Sequence, residues 1–115
     1  MSETELVIYL LVRQDLKMSK GKIVAQCCHA VQDLILACEV IEQYIVGEHP
    51  KIALKIKDLE EMEKIITMCR KEHFLYHIVV DAGRTQVPED TKTVLGIGPV
   101  SKNKVHKIVG HLKLL

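Results

Sequence analysis

The first apolar run of the chain, Leu6 to Val12, constrains the fold more than any other segment. Seven consecutive apolar residues are too few to span a membrane and too continuous for a strand with one face in water. Such a run is typical of a strand that other elements cover on both faces. We therefore expect Leu6 to Val12 to lie at the centre of a sheet in a three-layer α/β domain.

The segment after this run predicts one long helix. Ser19 is suited to be its N-cap, and Gly47 with Pro50 provides a stop. Apolar residues recur at spacings of three and four, which mark one helical face. The predicted buried face consists of Ile23, Cys27, Val31, Leu34, Cys38, Ile41 and Ile45.

The rest of the chain continues the alternation of strands and helices. Apolar residues alternate with lysines over 51–57, as in a half-exposed strand, and Asp58 with Glu61 resembles a capping box that opens a helix to about Arg70. Strands are predicted over 75–80 and 91–97, and a last helix over 102–109. The predicted order is β-α-β-α-β-β-α in one domain, 1–115. Because no helix separates the last two strands, they are expected to pair antiparallel within a mixed four-stranded sheet flanked by helices.

Basic side chains gather where the long helix begins, although the net charge of the chain is only +1. Arg13, Lys17, Lys20 and Lys22 fall within ten residues. A helix N-terminus already carries a partial positive charge, so lysines there are unfavourable unless an anion is bound. This cluster indicates a phosphate-binding site, and a solvated lysine-rich loop is the alternative. Few aromatic residues are present for stacking bases, so contact with nucleic acid is expected through phosphate and shape.

Asp81 directly follows the apolar end of the third predicted strand. Partial desolvation there would raise the pKa of its carboxyl and suit it to general-base catalysis. The alternative is an aspartate that stabilises a turn by bonding the backbone two residues on. Thr85 and Thr93 add hydroxyl groups that could orient water or a substrate carbonyl.

The run Cys27-Cys28-His29 raises the question of a metal site or a nucleophile. Adjacent residues of a helix point about 100° apart, so the two thiols cannot easily bind one ion. The chain shows no secretory segment, and we expect all four cysteines to be free thiols in a reducing compartment.

Five segments, taken together and in order, resemble the archaeal and eukaryotic (type two) peptidyl-tRNA hydrolases. Ser19 stands where that family usually has glycine, and residues 47–50 also depart from the usual pattern. The segments are residues 15–22 (DLKMSKGK), Ala25-Gln26 with His29-Ala30, residues 81–86 (DAGRTQ), residues 96–99 (GIGP) and residues 110–115 (GHLKLL).

The resemblance implies hydrolysis of the ester that joins a peptide to the 3′ terminal ribose of tRNA. It implies peptidyl-tRNA as the partner, a cytoplasmic location, and neither a cofactor nor a metal. Because members of that family are often dimeric, it also allows a homodimer. The catalytic residues that it indicates are Lys22, Asp81, Thr85 and Thr93. We assign tRNA binding to Arg13, Lys17, Lys20, Gln26 and Arg84.

Two other functions compete with this interpretation. A non-catalytic tRNA-binding or RNA-binding protein, or an adaptor of the same fold, could keep the basic loop, but it would not need Lys22, Asp81 and Thr85 together. A thiol-dependent or metal-dependent hydrolase would use Cys28 and His29, and it would be sensitive to alkylation or chelation.

Overall fold

A computed structural model describes residues 5–39, 41–83 and 86–115. The chain forms four strands and four helices: β1 (Leu6–Arg13), α1 (Lys20–Ala37), α2 (Ile41–Ile45), β2 (Lys51–Ile56), α3 (Leu59–Lys71), β3 (Tyr76–Val80), β4 (Lys92–Ser101) and α4 (Lys102–Val109). The strands follow the predicted order, but two helices, α1 and α2, stand where one long helix was predicted. Within the described ranges, no helix is long and apolar enough to cross a membrane.

The four strands form one mixed sheet in the order β2-β1-β4-β3. Strand β1 is parallel to β2 and antiparallel to β4, while β3 is antiparallel to β4. Both predictions about the sheet are confirmed: β1 is central, with Val7 to Val12 all buried, and the last two strands pair antiparallel. The residues at the end of the chain add a single antiparallel bridge, Leu54 to Leu114, on the outer edge of β2.

Helices cover both faces of the sheet, which confirms the three-layer architecture. On one face, Leu34 of α1 and Tyr44 of α2 pack with Ile8, Leu10 and Val12 of β1. On the other face, the side chains that α3 and α4 contribute pack with β1, β2 and β4; they are Met62, Ile65, Ile66, Cys69, Val105, Ile108 and Val109. Residues that alternate along β1 therefore enter different cores, as a doubly covered strand requires.

The prediction of one helix from Ser19 to Ile45 is wrong in its second half. Ser19 is the N-cap, but α1 ends at Ala37, and Cys38 has extended backbone angles. The short helix α2 then buries Tyr44, whose hydroxyl donates to the carbonyl oxygens of His49 and Pro50 at 2.9 Å each. The predicted face is also rotated, because α1 buries Gln26, Ala30 and Leu34 most deeply.

Strand β4 continues beyond its predicted end at Ile97, through Pro99 to Ser101. Proline is accepted in a paired strand only where its missing N–H is not needed, as at a bulge. The pairing of β1 with β4 shifts register between Val7 and Tyr9, opposite this segment. A Cβ on Gly96 would lie 2.8 Å from Leu34 Cδ1, so the absence of a side chain at Gly96 lets α1 pack closely against β4.

Candidate active site

Strand direction brings the basic loop and Asp81 to the same edge of the sheet. Strands β1 and β3 both run antiparallel to β4, which lies between them, so their carboxyl ends point the same way. The lysine-containing loop follows β1 and leads into α1, while Asp81 follows the last residue of β3. Sites in α/β proteins are commonly found where strands end in this manner.

The central feature of this edge is an ion pair between Lys22 and Asp81. The Lys22 ammonium contacts Asp81 Oδ1, and the two side chains are 9% and 6% exposed. The backbone N–H of Gly83 donates to the other carboxylate oxygen, Oδ2, at 2.6 Å. Both contacts stabilise the ionised carboxylate. The sequence also allowed Asp81 to stabilise a turn by bonding the backbone two residues on, and the bond from Gly83 is that contact. Asp81 therefore stabilises a turn and pairs with Lys22 at the same time.

A buried amide and hydroxyl lie directly behind the ion pair. Gln26 Nε2 lies 3.5 Å from Asp81 Oδ1 and donates to Thr93 Oγ1 at 2.8 Å. The Thr93 hydroxyl in turn donates to the carbonyl oxygen of Val79 at 3.3 Å. Gln26 is 4% exposed and Thr93 is fully buried, so Thr93 supports the orientation of Gln26 and does not face the solvent.

Gln86 fixes the start of α1 against the loop that follows β3. Its Oε1 accepts from the backbone N–H of Ser19 at 2.8 Å, and its Nε2 donates to Ser19 Oγ at 2.7 Å. Ser19 Oγ also accepts from the backbone N–H of Lys22 at 3.2 Å, as the N-cap role requires. The sequence interpretation missed the structural role of Gln86, although its place in the segment 81–86 was a signal.

An open cleft of about 500 Å³ lies beside the ion pair. Gly21, Lys22, Gln26 and His29 of α1 form one wall, and Val80, Asp81, Ala82 and Gln86 form the other. Two hollows near Pro99 are larger, at about 640 and 630 Å³. The cleft is nevertheless the better candidate site, because a buried ion pair and convergent polar groups lie within it.

The structure describes four of the five predicted tRNA-binding residues, and Gln26 among them is buried behind the ion pair. Lys17 and Lys20 are exposed beside the start of α1. The guanidinium of Arg13, by contrast, donates to both carboxylate oxygens of Asp15, at 3.0 and 2.7 Å, and to the carbonyl oxygen of Lys92 at 2.9 Å. The hydrogen bonds from Arg13 hold the pKa of Asp15 below its ordinary value.

The predicted residues Arg84 and Thr85 lie outside the described residues. The basic side chains near the end of the chain lie elsewhere, since α4 packs against β4 and α3 on the sheet face opposite α1. Lys107 pairs there with Glu72, at 2.5 Å.

The four cysteines are free thiols, as predicted. Burial, with a smaller contribution from the neighbouring Cys28, raises the pKa of Cys27 to about 11. Burial likewise raises the pKa of Cys69 to about 11. A raised pKa makes a thiol a poor nucleophile, since the thiolate is the reactive form. In the part of the chain that the structure describes, no group of three or more His, Cys, Asp or Glu side chains is arranged to hold a metal ion.

Comparison with known proteins gives a consistent result along nearly the whole chain. The family model described as peptidyl-tRNA hydrolase PTH2 matches residues 6–115. The chain is 40% identical over 108 residues to "Peptidyl-tRNA hydrolase" of Methanothermobacter thermautotrophicus, covering 92% of this chain and 96% of that relative.

Relatives from eukaryotes are longer. The chain is 36% identical over 115 residues to "Peptidyl-tRNA hydrolase 2, mitochondrial" of Bos taurus, and the match to the Homo sapiens protein of the same name has the same identity and length. Each alignment covers 96% of this chain and 64% of the relative. The chain therefore spans just under two thirds of the length of these mammalian proteins.

Proposed function

Because the chain belongs to the peptidyl-tRNA hydrolase PTH2 family, we propose that it hydrolyses the ester between a peptide and the 3′ terminal ribose of tRNA. The observation that carries this proposal is the buried ion pair of Lys22 and Asp81 at the edge of an open cleft, beside a lysine-flanked helix start. Burying two charges is costly, and such pairs are often found where chemistry requires them.

The proposed reaction uses Asp81 as the proton acceptor. When the substrate ester enters the cleft, the Lys22 ammonium shifts towards the carbonyl oxygen, which frees a carboxylate oxygen of Asp81 for a water molecule. The water oxygen bonds to the carbonyl carbon as its proton passes to Asp81, and Lys22 stabilises the oxyanion that develops. Collapse of this intermediate breaks the bond to the ribose oxygen, which takes up the proton.

Gln26 and Thr93 have supporting roles in this proposal. Gln26 can donate an N–H to a carboxylate, to water or to a carbonyl oxygen in the cleft. Thr93 is a positioning residue, because its buried hydroxyl holds Gln26 Nε2 at 2.8 Å. A catalytic role for Thr85 and tRNA binding by Arg84 remain predictions from the resemblance.

We propose that Lys17 and Lys20 contact the phosphates of the tRNA. Both are exposed at the start of α1, where the helix dipole also favours an anion. Three of the five N–H groups of Arg13 already donate to Asp15 and Lys92, and its side chain is only 10% exposed, so we assign it a lesser part in binding.

We further propose a homodimer and a cytoplasmic location. An apolar groove of about 500 Å³ on the far flank of α1, lined by Leu10, Ile23, Val24, Cys27 and Val31 among others, supports a protein contact. Sedimentation equilibrium of the wild type and of Val24→Asp tests the dimer, and fractionation of the source cells tests the location, since some relatives are named mitochondrial.

The proposed activity is tested by incubating the folded protein with N-acetylaminoacyl-tRNA and following release of free tRNA. Complete alkaline hydrolysis gives the full-release standard, and a sample without protein gives spontaneous loss. Cleavage that is proportional to protein concentration supports a hydrolase. Binding of tRNA without cleavage would instead identify the non-catalytic alternative.

A further inference from the structure

The two outer strands of the sheet differ in how their free edges are used. On the outer edge of β2, the backbone N–H of Lys55 donates to the carbonyl oxygen of Lys113 at 2.8 Å, and the N–H of Leu115 donates to that of Ala53 at 3.0 Å. At the opposite side, β3 pairs with β4 alone among the strands of the described residues. Strand β3 therefore presents the open edge of the sheet.

The pairing pattern fixes which backbone groups of β3 point outward. The N–H of Gly98 donates to the carbonyl oxygen of Leu75 at 2.9 Å, so these two residues form a hydrogen-bonded antiparallel pair. Such pairs alternate along a ladder, so His77 and Val79 direct their backbone groups to β4. The N–H and C=O groups of Tyr76 and Ile78 then point to the open edge. The register shifts between Val79 and Val80, but the N–H of Asp81 again donates towards the β4 side, so the backbone groups of Val80 also point to the open edge.

Among the residues that the structure describes, this edge lacks the features that usually prevent a strand from pairing with another chain. Exposed edges are commonly protected by lysine, proline or a covering segment. The five residues of β3, Tyr-His-Ile-Val-Val, include no proline, lysine or acidic residue, and the Val80 side chain is 49% exposed. An open, nearly neutral edge is suited to an extended polypeptide.

The edge is continuous with the candidate active site. Val80, the last residue of β3, and Asp81, which follows it, both border the cleft. Asp81 still pairs on the β4 side of the strand, since its N–H donates to the carbonyl oxygen of Thr91, the residue before β4, at 2.9 Å. The basic residues Lys17 and Lys20 lie beside the start of α1, whereas β3 contains no lysine, arginine or acidic residue.

We propose that the open edge of β3 binds the peptide part of the substrate as an added strand, leading away from the ester at Asp81. This inference rests on the proposed function. All peptides share the backbone, and strand addition binds a peptide through backbone hydrogen bonds whatever its side chains. Five strand residues at about 3.3 Å each allow pairing over about 16 Å of an extended peptide.

The test uses wild-type protein and a set of acylated tRNAs that differ only in the peptide. We expect kcat/KM to rise from one residue to about four or five and then level off, whatever the sequence. In an added strand, the backbone N–H and C=O groups of only every second peptide residue face β3. N-methylation of the substrate peptide should therefore lower kcat/KM by about 3-fold to 10-fold at those residues and have little effect at the residues between them. No dependence on length, or equal effects at neighbouring residues, would overturn the inference.

A pair of variants tests the same edge from the side of the protein. Val80→Pro removes an outward N–H that the ladder with β4 does not use, and Val80→Thr keeps it with a similar shape. The ratio of kcat/KM for the long peptide over the single residue should fall towards one in Val80→Pro and hold in Val80→Thr. An unchanged ratio in Val80→Pro contradicts the inference. If one-residue substrates are cleaved and longer peptides give no higher kcat/KM, the inference about β3 is wrong and the proposed function stands. Absence of all cleavage contradicts both.

Discussion

The ammonium of Lys22 is paired with the carboxylate of Asp81 across 59 positions of the sequence. Both side chains are almost wholly buried, at 9% and 6% exposed. The helix that carries Lys22 and the strand that precedes Asp81 meet because β1 and β3 point the same way on either side of β4. The ion pair places an ammonium and a carboxylate together at a strand end, where an ammonium can stabilise the oxyanion that forms in ester hydrolysis.

The first prediction concerns the stability of the ion pair. Removing one partner leaves the other charge buried without compensation, which costs about 3 to 5 kcal/mol in comparable cases. Lys22→Met and Asp81→Asn should each lower the free energy of unfolding by about 3 kcal/mol, and the double variant should lose less than the sum. Urea denaturation of the four proteins measures the coupling. Strictly additive losses would mean that the two groups do not interact in solution.

The second prediction separates Thr93 from the reacting groups. Thr93→Val keeps the shape of a buried side chain but removes the hydroxyl that accepts from Gln26 at 2.8 Å. We expect kcat to fall by about 10-fold with KM little changed, on the scale of one lost buried hydrogen bond. Thr93→Ser restores the hydroxyl and should recover most of the rate. Equal loss in both variants would indicate a packing defect.

The third prediction concerns how tRNA is held. Affinity should fall steeply with salt, by about 0.7 to 0.9 log units per log unit of salt for each neutralised phosphate. Lys20→Ala should weaken binding and reduce this slope by about one contact. Lys104→Ala is the matched control, since α4 lies on the opposite face of the sheet. A flat salt response, or equal effects of the two variants, would contradict the assignment of phosphate binding to the start of α1.

The fourth prediction is that turnover does not require a cysteine. Cys28 is exposed, while burial raises the pKa of Cys27 to about 11, so Cys27 is a poor nucleophile at neutral pH. Cys28→Ser should retain activity, and EDTA or a thiol-blocking reagent should leave the rate unchanged while circular dichroism shows an intact fold. Loss of activity in a folded sample would favour the thiol-dependent or metal-dependent hydrolase.

Sequence patterns predicted the sheet well because each depended on local periodicity or on a short connection. The buried run over β1 and the lack of a helix between β3 and β4 were sufficient for a central strand and an antiparallel pair. The division of the long helix was missed because Ile41 and Ile45 continue the spacing of α1. Burial of Tyr44 and its two bonds to the turn before β2 outweigh that periodicity.

The site was predictable in part for similar reasons. Lys22 and Asp81 stand at the ends of predicted elements, so strand topology alone brings their regions together. The hydrogen bond from Arg13 to the backbone of Lys92 is a tertiary contact across 79 positions, which no sequence spacing reveals. The same is true of Gln86, whose two bonds to Ser19 cross 67 positions of the chain.

The account depends most directly on Asp81 acting in the chemical step. Asp81→Asn keeps the size of the side chain but cannot accept a proton at neutral pH. Cleavage of N-acetylaminoacyl-tRNA should fall by about 100-fold or more, on the usual scale for loss of a general base, with tRNA affinity unchanged or slightly higher. The matched control is Asp33→Asn, since the Asp33 carboxylate lies on α1 and pairs with His77. This variant should keep the wild-type rate.

The decisive measurement is therefore the single-turnover rate of ester cleavage by wild type, Asp81→Asn and Asp33→Asn, each shown to be folded at the assay temperature and each titrated with tRNA. We expect rapid cleavage by wild type and by Asp33→Asn, and a loss of about two orders of magnitude confined to Asp81→Asn. Cleavage by Asp81→Asn at nearly the wild-type rate would show that Asp81 only stabilises its turn, and the proposed mechanism would be wrong.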